Sequence, residues 1–157
     1  MLIKISLSKQ QLCLEGEDIA HCFQVSTAAN GGGEQMGSEC TPRGAHHVRI
    51  KIGDGCPLDS VFVGRRPTGE IYTYELAQQH PGRDWILSRI IWLSGDQPRV
   101  NRGGDVDTLR RMIYIHGTPE SEPVGVPLSH GCIRMHNRDL VTLFDLVDAG
   151  TPVMIED

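Results

Sequence analysis

The apolar residues of this chain fall mostly into short segments that have the length and pattern of β-strands. In the segment from His47 to Ile52, Val48, Ile50 and Ile52 alternate with polar residues, as expected for a strand with one buried face. Loops that draw on the chain's 18 glycines and 9 prolines separate these segments. The pattern predicts a mainly β protein rather than a helical bundle.

The other predicted elements are spread over the whole chain, and none of them marks a domain boundary. A helix is predicted from Asn137 to Ala149, because Leu140 and Leu143 recur at helical spacing and Asn137 suits the N-cap. We expect one domain of residues 1–157, a length that supports a single core. Further strands are predicted at residues 2–7, 11–14, 19–26, 61–64, 70–76, 83–94, 111–116 and 152–155.

Two long polar segments are predicted as loops. The first, Ala28–Gly44, contains five glycines, and the second is Gly95–Asp107. Loops of this length in a compact domain are usually functional or mobile. We therefore expect both segments to lie near a functional site or to move.

The segment from Tyr114 to Met135 concentrates the side chains that can perform covalent chemistry. Cys132 lies in the run Ser-His-Gly-Cys-Ile-Arg, which spans residues 129–134. A thiol is a good nucleophile only as the thiolate, and neighbouring imidazole and guanidinium groups lower its pKa. Because histidines and Arg134 lie nearby in the sequence, we expect an ionised Cys132 and a cysteine acyl-transfer site.

His116 is the better candidate for the general base, since it ends a predicted strand and its ring can approach the thiol from a separate element. His130 is only two residues from Cys132, and its side chain would tend to diverge from the thiol. The carbonyl of Gly117 can hold the other ring nitrogen of His116 and fix its tautomer. The amides of Gly131 and Cys132 are candidates for an oxyanion hole, because Gly131 permits a tight turn.

A zinc site is the alternative interpretation of the same side chains, because thiolate and imidazole are ligands that zinc prefers. The chain has no C-x-x-C or H-x-x-x-H pair, so the spacing favours catalysis. We expect neither a metal nor a cofactor. The potential zinc ligands are His116, His130, Cys132 and His136.

Titratable side chains elsewhere are interpreted as ordinary structural or surface residues. The remaining cysteines are treated as small hydrophobic residues, namely Cys13, Cys22, Cys40 and Cys56. Four histidines are interpreted as surface or loop residues, namely His21, His46, His47 and His80. Three basic residues are assigned to solvated strand faces, namely Arg49, Lys51 and Arg89.

The charge and the hydrophobic pattern of the chain limit the partners of the protein. The formal net charge of −5 argues against nucleic acid or an anionic membrane as a partner, and no apolar run approaches the about 18 residues of a membrane span. We expect a monomer.

The start of the chain lacks the pattern of a signal peptide. The five cysteines, an odd number without framework spacing, are typical of a reducing compartment. We therefore expect a cytoplasmic protein with free thiols. The alternatives are a periplasmic protein whose leader precedes Met1, and a Cys13–Cys22 bridge across a hairpin.

Two runs, Tyr114–Pro119 and Ser129–Met135, resemble the signature of the L,D-transpeptidase catalytic-domain family, in which a histidine and a loop precede Ser/Thr-His-Gly-Cys. The likeness extends over nearly the whole chain. The hairpin that opens at Leu7–Gln10 is similar to the family's first hairpin. Val25–Thr27 and Thr41–Gly44 are similar to its two motifs beside the substrate groove.

This resemblance implies a β-sandwich-like fold of mixed sheets and an enzyme of peptidoglycan. The cysteine would attack the diaminopimelate–D-Ala bond of a stem tetrapeptide and form a thioester. Water as acceptor makes the enzyme an L,D-carboxypeptidase, whereas an amine acceptor gives a 3→3 cross-link.

The resemblance also implies roles for individual residues. His116 is the base, Gly117 provides the orienting carbonyl and Cys132 is the nucleophile. The oxyanion donors are the amides of His130, Gly131 and Cys132. Substrate is expected to contact Ser129, Arg134 and Tyr114.

Our leading expectation from the sequence is a cytoplasmic L,D-carboxypeptidase of muropeptide recycling that carbapenems acylate. A periplasmic L,D-transpeptidase is the first alternative. A non-catalytic module that binds wall peptides is the alternative from another class.

Overall fold

A computed structural model describes all 157 residues. It contains ten β-strands, two α-helices and one short 3-10 turn at Gly104–Val106. The helices are α1 (Tyr74–Gln79) and α2 (Asn137–Leu146). The strands are β1 (Leu2–Ser6), β2 (Gln11–Glu15), β3 (Ala20–Gln24), β4 (Gly44–Ile52), β5 (Ser60–Val63), β6 (Arg66–Ile71), β7 (Ile86–Gly95), β8 (Tyr114–Thr118), β9 (Ile133–His136) and β10 (Pro152–Glu156).

All ten strands belong to one mixed sheet, in the order β3-β2-β1-β10-β4-β7-β5-β6, with β8 and β9 branching from β7. The pairs β1–β10 and β8–β9 are parallel, and the other pairs are antiparallel. The register shifts where β7 pairs with β4 and with β8. Such irregularities bend a strand and increase its twist, so the sheet curls around β7.

The two faces of the sheet are buried in two separate clusters. The larger cluster joins residues from strands at both ends of the chain to Leu140, Leu143 and Phe144 of α2. A smaller cluster contains Tyr114, and Cys132 packs against it. Since successive side chains of a strand point to opposite faces, the site segment lies on the face turned away from the main core. Neither helix combines the length and the apolar character that crossing a membrane requires.

The mainly β prediction and the α2 prediction are confirmed, but several local predictions are wrong. The end of the strand predicted at residues 70–76 is helix α1, because the hydroxyl of Thr73 accepts the amide of Leu76 at 3.1 Å and caps a helix there. Strand β9 was not predicted at all. It has only four residues, which is too short for a clear alternating pattern.

The ends of α2 also differ from the prediction. His136 occupies the N-cap, and the helix ends at Leu146 rather than Ala149. Asn137 is the first helical residue, and its side chain turns inward to strand partners instead of capping the helix.

Three predictions about surface and cysteine residues are corrected by the tertiary structure. Cys13 and Cys22 face each other across the β2–β3 pair and form a disulfide, so they are not free thiols. His46 is completely buried, and its Nε2 lies 2.9 Å from the hydroxyl of Thr108. Arg89 is also buried, where it donates to main-chain carbonyls rather than to water.

Candidate active site

The parallel pairing of β8 with β9 brings His116 and Cys132 to the same face of the sheet. His116 lies opposite Arg134, and Ile115 lies opposite Ile133. The two isoleucines enter the main core, so the alternate residues of both strands face the other way. Cys132 directly precedes β9, which makes it a diagonal neighbour of His116 across the β8–β9 pair.

The sulfur of Cys132 lies between two main-chain groups of the adjacent chain segment. The amide of Tyr114 donates to it at 3.3 Å, and the thiol donates to the carbonyl of Met112 at 3.4 Å. Burial raises the pKa of Cys132 to about 11, although the Tyr114 amide and nearby arginines act in the opposite direction. Desolvation outweighs the positive charges and favours a protonated thiol at rest, in contrast to the ionised Cys132 that the sequence predicts.

The imidazole of His116 is held in one tautomer. Its Nδ1 lies 2.8 Å from the carbonyl oxygen of Gly117, and a carbonyl can only accept, so Nδ1 carries the hydrogen. The predicted hydrogen bond to Gly117 is thus present, and Nε2 keeps its lone pair. Burial lowers the pKa of His116, which leaves a neutral imidazole that can accept the thiol proton.

Gly117 and Asn137 together fix the end of β8 beneath the imidazole. A Cβ at Gly117 would collide with the side-chain oxygen of Asn137 and with the carbonyl of Leu87. Asn137 donates to the carbonyl of Thr118 at 2.9 Å and accepts the hydroxyl of Ser88 at 2.7 Å. The helix that follows the site thereby anchors the strand that carries His116.

The turn from Ser129 to Cys132 presents two unpaired amides rather than the three that the sequence predicts. The hydroxyl of Ser129 accepts the amide of Gly131 at 3.2 Å and donates to the carbonyl of Cys132 at 2.6 Å. The amides of His130 and Cys132 have no acceptor within the protein. Gly131 adopts a φ of +132°, a conformation that favours glycine. The amides of His130 and Cys132 are therefore the candidate oxyanion donors, whereas the amide of Gly131 is already engaged.

Two of the three residues expected to contact substrate support the site from within. Ser129 is buried, and its hydroxyl is engaged inside the turn. Tyr114 is also buried; its hydroxyl accepts Arg65 Nη1 at 3.2 Å, and its amide contacts the sulfur. Hydrogen bonds within the protein thus engage both side chains, and contact of Ser129 and Tyr114 with a substrate stays a prediction.

Arg134 lines a cavity together with His130 of the turn, whereas neither His116 nor Cys132 lines it. Nη2 of Arg134 lies 3.5 Å from Oδ1 of Asp84, and both positive and negative groups therefore face the same space. The cavity has a volume of about 350 Å³. The residues that line it are Tyr72, Ala77, His80, Gly82, Arg83, Asp84, Trp85, Thr118, Pro119, Glu122, His130 and Arg134.

Sequence reasoning missed the contributions of Asp84 and His80 to this cavity. Both precede β7 and carry no motif, and His80 was interpreted as an ordinary surface or loop histidine. They reach the site because β7 pairs with β8, which carries His116. The potential zinc ligands, by contrast, do not converge, and no three His, Cys, Asp or Glu side chains are arranged to hold a metal ion.

Comparisons with known proteins were made for the sequence and for the fold. A family model described as the YkuD L,D-transpeptidase catalytic domain matches residues 1–155. A Bacillus subtilis protein provisionally named L,D-transpeptidase YkuD is 37% identical over 95 residues, which are 60% of this chain and 47% of the relative. A second protein of that species, provisionally named L,D-transpeptidase YqjB, is 51% identical over 47 residues, 30% of this chain and 27% of the relative. The matched parts are thus less than half of each relative.

Solved structures with this fold include two bacterial L,D-transpeptidases. L,D-transpeptidase 3 from Mycobacterium tuberculosis, in complex with a faropenem-derived adduct, has a TM-score of 0.61 at 16% identity over 99% of this chain and 60% of that chain. The L,D-transpeptidase from Xylanimonas cellulosilytica has a TM-score of 0.55 at 21% identity, over 98% of this chain and 59% of that chain. At these identities the likeness concerns the fold alone.

Proposed function

Since this chain belongs to the L,D-transpeptidase catalytic-domain family, we propose that it is a cysteine L,D-peptidase acting on peptidoglycan stem tetrapeptides. The proposal rests on the shared face of β8 and β9, to which neighbouring residues bring a thiol, an imidazole fixed in one tautomer and a turn with two unpaired amides. The three groups are those that acyl transfer requires: nucleophile, base and oxyanion donors.

The first half-reaction forms a thioester on Cys132. The sulfur attacks the carbonyl of the L-centre of diaminopimelate while Nε2 of His116 takes the thiol proton. The amides of His130 and Cys132 donate to the oxygen as it becomes negative. When the tetrahedral intermediate collapses, the carbon–nitrogen bond breaks and the imidazolium of His116 protonates the departing amine of D-Ala.

The second half-reaction regenerates the thiol. Water or an amine attacks the thioester carbonyl, and His116 removes a proton from the attacking group. The carbon–sulfur bond then breaks, and the sulfur recovers its proton from His116. Hydrolysis yields a tripeptide, and aminolysis joins the acyl peptide to the acceptor.

The charges of the cavity suit the substrate. The free end of the diaminopimelate side chain carries both a carboxylate and an ammonium group. Arg134 can donate to the carboxylate, and Asp84, whose side chain is 61% exposed, can accept from the ammonium group. The paired charges support a zwitterionic substrate arm in this cavity.

We favour an amine over water as the main acceptor, and a location outside the cytoplasm. The expectation of a cytoplasmic carboxypeptidase relied partly on free thiols, whereas Cys13 and Cys22 form a disulfide. Disulfides persist mainly in oxidising compartments, where cross-linkable peptidoglycan also lies. The disulfide therefore supports an L,D-transpeptidase, with hydrolysis as the competing fate of the thioester.

Incubation with purified tetrapeptide, with and without a second stem peptide, tests this function by mass spectrometry. We expect release of D-Ala, a thioester adduct on Cys132 and a 3→3 dimer when the acceptor is present. Cys132→Ala should abolish all three products, and His116→Gln should slow D-Ala release at least about a hundredfold. Cys56→Ser is the matched control, because Cys56 is a free thiol packed against the same small cluster.

D-Ala release that survives Cys132→Ala would contradict the cysteine mechanism. Tripeptide as the sole product at every acceptor concentration would support an L,D-carboxypeptidase instead of a transpeptidase. Binding of the tetrapeptide without any turnover would support a non-catalytic peptide-binding module.

A further inference from the structure

The long segment from Ala28 to Thr41 is bonded to the turn that carries Cys132. The amide of Ala29 donates to the carbonyl of Ser129 at 2.9 Å, and the hydroxyl of Thr41 donates to the carbonyl of Gly131 at 2.9 Å. The sequence predicts a loop here that is functional or mobile, and the structure shows it fixed against the catalytic turn. Its contacts are therefore part of the site's construction.

These two contacts set the direction of both unpaired amides. In a trans peptide, the carbonyl and the following N–H point in opposite directions, and the chain has no cis peptide bonds. Because Ala29 holds the carbonyl of Ser129, the N–H of His130 points away from the segment. Because Thr41 holds the carbonyl of Gly131, the N–H of Cys132 does the same. The two amides without acceptors in the protein thus belong to the two peptide units whose carbonyls are held by Ala29 and Thr41.

Thr41 is the only side chain outside the turn that holds one of its carbonyls. Its side chain is completely buried, and its hydroxyl also accepts the amide of Ala28 at 3.0 Å, so the hydrogen points to Gly131. Gly131 has no side chain to restrain its dihedral angles. Without the hydroxyl, the peptide between Gly131 and Cys132 is free to rotate its N–H out of the site.

We propose that Thr41 is a positioning residue of the oxyanion hole, which holds the Gly131 carbonyl so that the Cys132 amide faces the carbonyl under attack. This inference rests on the proposed acyl transfer and specifies how the site achieves it. Thr41 is completely buried and forms no hydrogen bond to the sulfur, so it acts through one peptide unit.

The test compares two electrophiles on the same thiol in Thr41→Val, which keeps the shape of the side chain and removes its hydroxyl. Acylation by a carbapenem passes through an oxyanion, whereas alkylation by iodoacetamide does not. We expect Thr41→Val to slow acylation about a hundredfold, the lower end of the range for loss of one oxyanion donor, and to leave the alkylation rate of Cys132 unchanged. Thr41→Ser, which keeps the hydroxyl, should restore rapid acylation.

Thr108→Val is the matched control for the loss of a buried threonine hydroxyl. Thr108 is also completely buried, and its hydroxyl lies 2.9 Å from Nε2 of His46, away from the turn that carries Cys132. We expect its acylation rate to equal that of the wild type at a comparable melting temperature. Thr41→Ala provides a second removal of the hydroxyl if Thr41→Val does not fold.

The outcomes separate this inference from the proposed function. Wild-type protein that iodoacetamide modifies at Cys132 but no carbapenem acylates would overturn the acyl-transfer function and the inference with it. Normal acylation of Thr41→Val would overturn the inference alone. Equal slowing of acylation and alkylation would also overturn it, since a general distortion of the site would then explain the loss.

Discussion

At the scale of single residues, burial shifts the pKa values of Cys132 and His116, the proposed nucleophile and base. The pKa of Cys132 is raised to about 11 and the pKa of His116 is lowered, both chiefly by burial. Each shift favours the neutral form, so the proton stays on sulfur in the resting enzyme. The proton must then move to His116 during the attack rather than before it.

This charge state predicts how the reactivity of Cys132 depends on pH. We expect the rate of alkylation by iodoacetamide to rise about tenfold per pH unit from pH 7 to pH 9, because only the thiolate reacts. Peptide mass spectrometry can follow Cys132 separately from Cys40 and Cys56, the other free thiols.

A Cys132→Ser variant serves as the blank for this measurement. The ordinary pKa of a thiol is about 8.5. An alkylation rate that levels off below this pH would contradict a protonated resting thiol. It would instead support the ionised Cys132 that the sequence predicts.

The chemical identities in the site were predictable from the sequence, but their electrostatics were not. The glycine between His130 and Cys132 and the histidine before Gly117 are local patterns, and they indicate a cysteine acyl-transfer site directly. The pKa of Cys132 depends on how much of the fold covers it. The number of positive residues near Cys132 in the sequence therefore does not determine its pKa.

At the scale of elements, close packing at the end of β8 excludes any side chain from position 117. The strand passes so near to the carbonyl of Leu87 and to Asn137 that a Cβ at Gly117 has no room. Since the nearest atoms include main-chain atoms of β7, relief would require a shift of the strand. The imidazole of His116 would move with it.

Gly117→Ala is therefore expected to destabilise the protein by about 3 kcal/mol, the upper end of the usual cost of overpacking. Urea unfolding measures the change, and D-Ala release reports whether the imidazole has moved.

Gly16→Ala is the matched control, because Gly16 has no atom nearer than 3.9 Å to the position of a Cβ. We expect it to change the free energy of unfolding by no more than about 0.5 kcal/mol. Equal stability of the two alanine variants would show that β8 can move away from β7 without cost.

The elements that the sequence did not predict are those that depend on partners far along the chain. Strand β9 is short, and it exists because β8 supplies a parallel neighbour. Asn137 is a good N-cap residue in isolation, but Ser88 and Thr118 offer its side chain buried partners. In both cases tertiary hydrogen bonds override the local preference.

At the scale of the whole molecule, the curled sheet buries two histidines, one on β4 and one on β8. His46 and His116 both have pKa values lowered by burial. The unfolded chain, with histidine pKa values near about 6.5, therefore binds more protons than the folded protein below that pH. Stability consequently rises with pH through this window and is lost on acidification.

We expect the free energy of unfolding to fall as the pH decreases from 6.5 to 5, by up to about 1.4 kcal/mol per pH unit for each histidine. Urea unfolding at fixed ionic strength measures this slope. Glu34 and Asp107 titrate below this pH window. Burial alone would raise the pKa of both carboxylates, but hydrogen bonds from their neighbours lower both pKa values below the ordinary ones.

His116→Gln removes one of the two titrating groups. It should reduce the slope between pH 6.5 and 5 by about half. An unchanged slope would mean that His116 is solvated or charged in the folded protein.

Local sequence was sufficient to predict a mainly β chain, the helix after the site and the residue types of an acyl-transfer centre, because these depend on periodicity and on neighbours in the chain. The folded chain was needed to identify Thr41, which is 90 residues from Gly131, and to pair Cys13 with Cys22 across a hairpin. It was also needed to show that burial raises the pKa of Cys132. Burial, register and the direction of a peptide unit arise when distant segments pack together, so they have no signature in any single stretch of sequence.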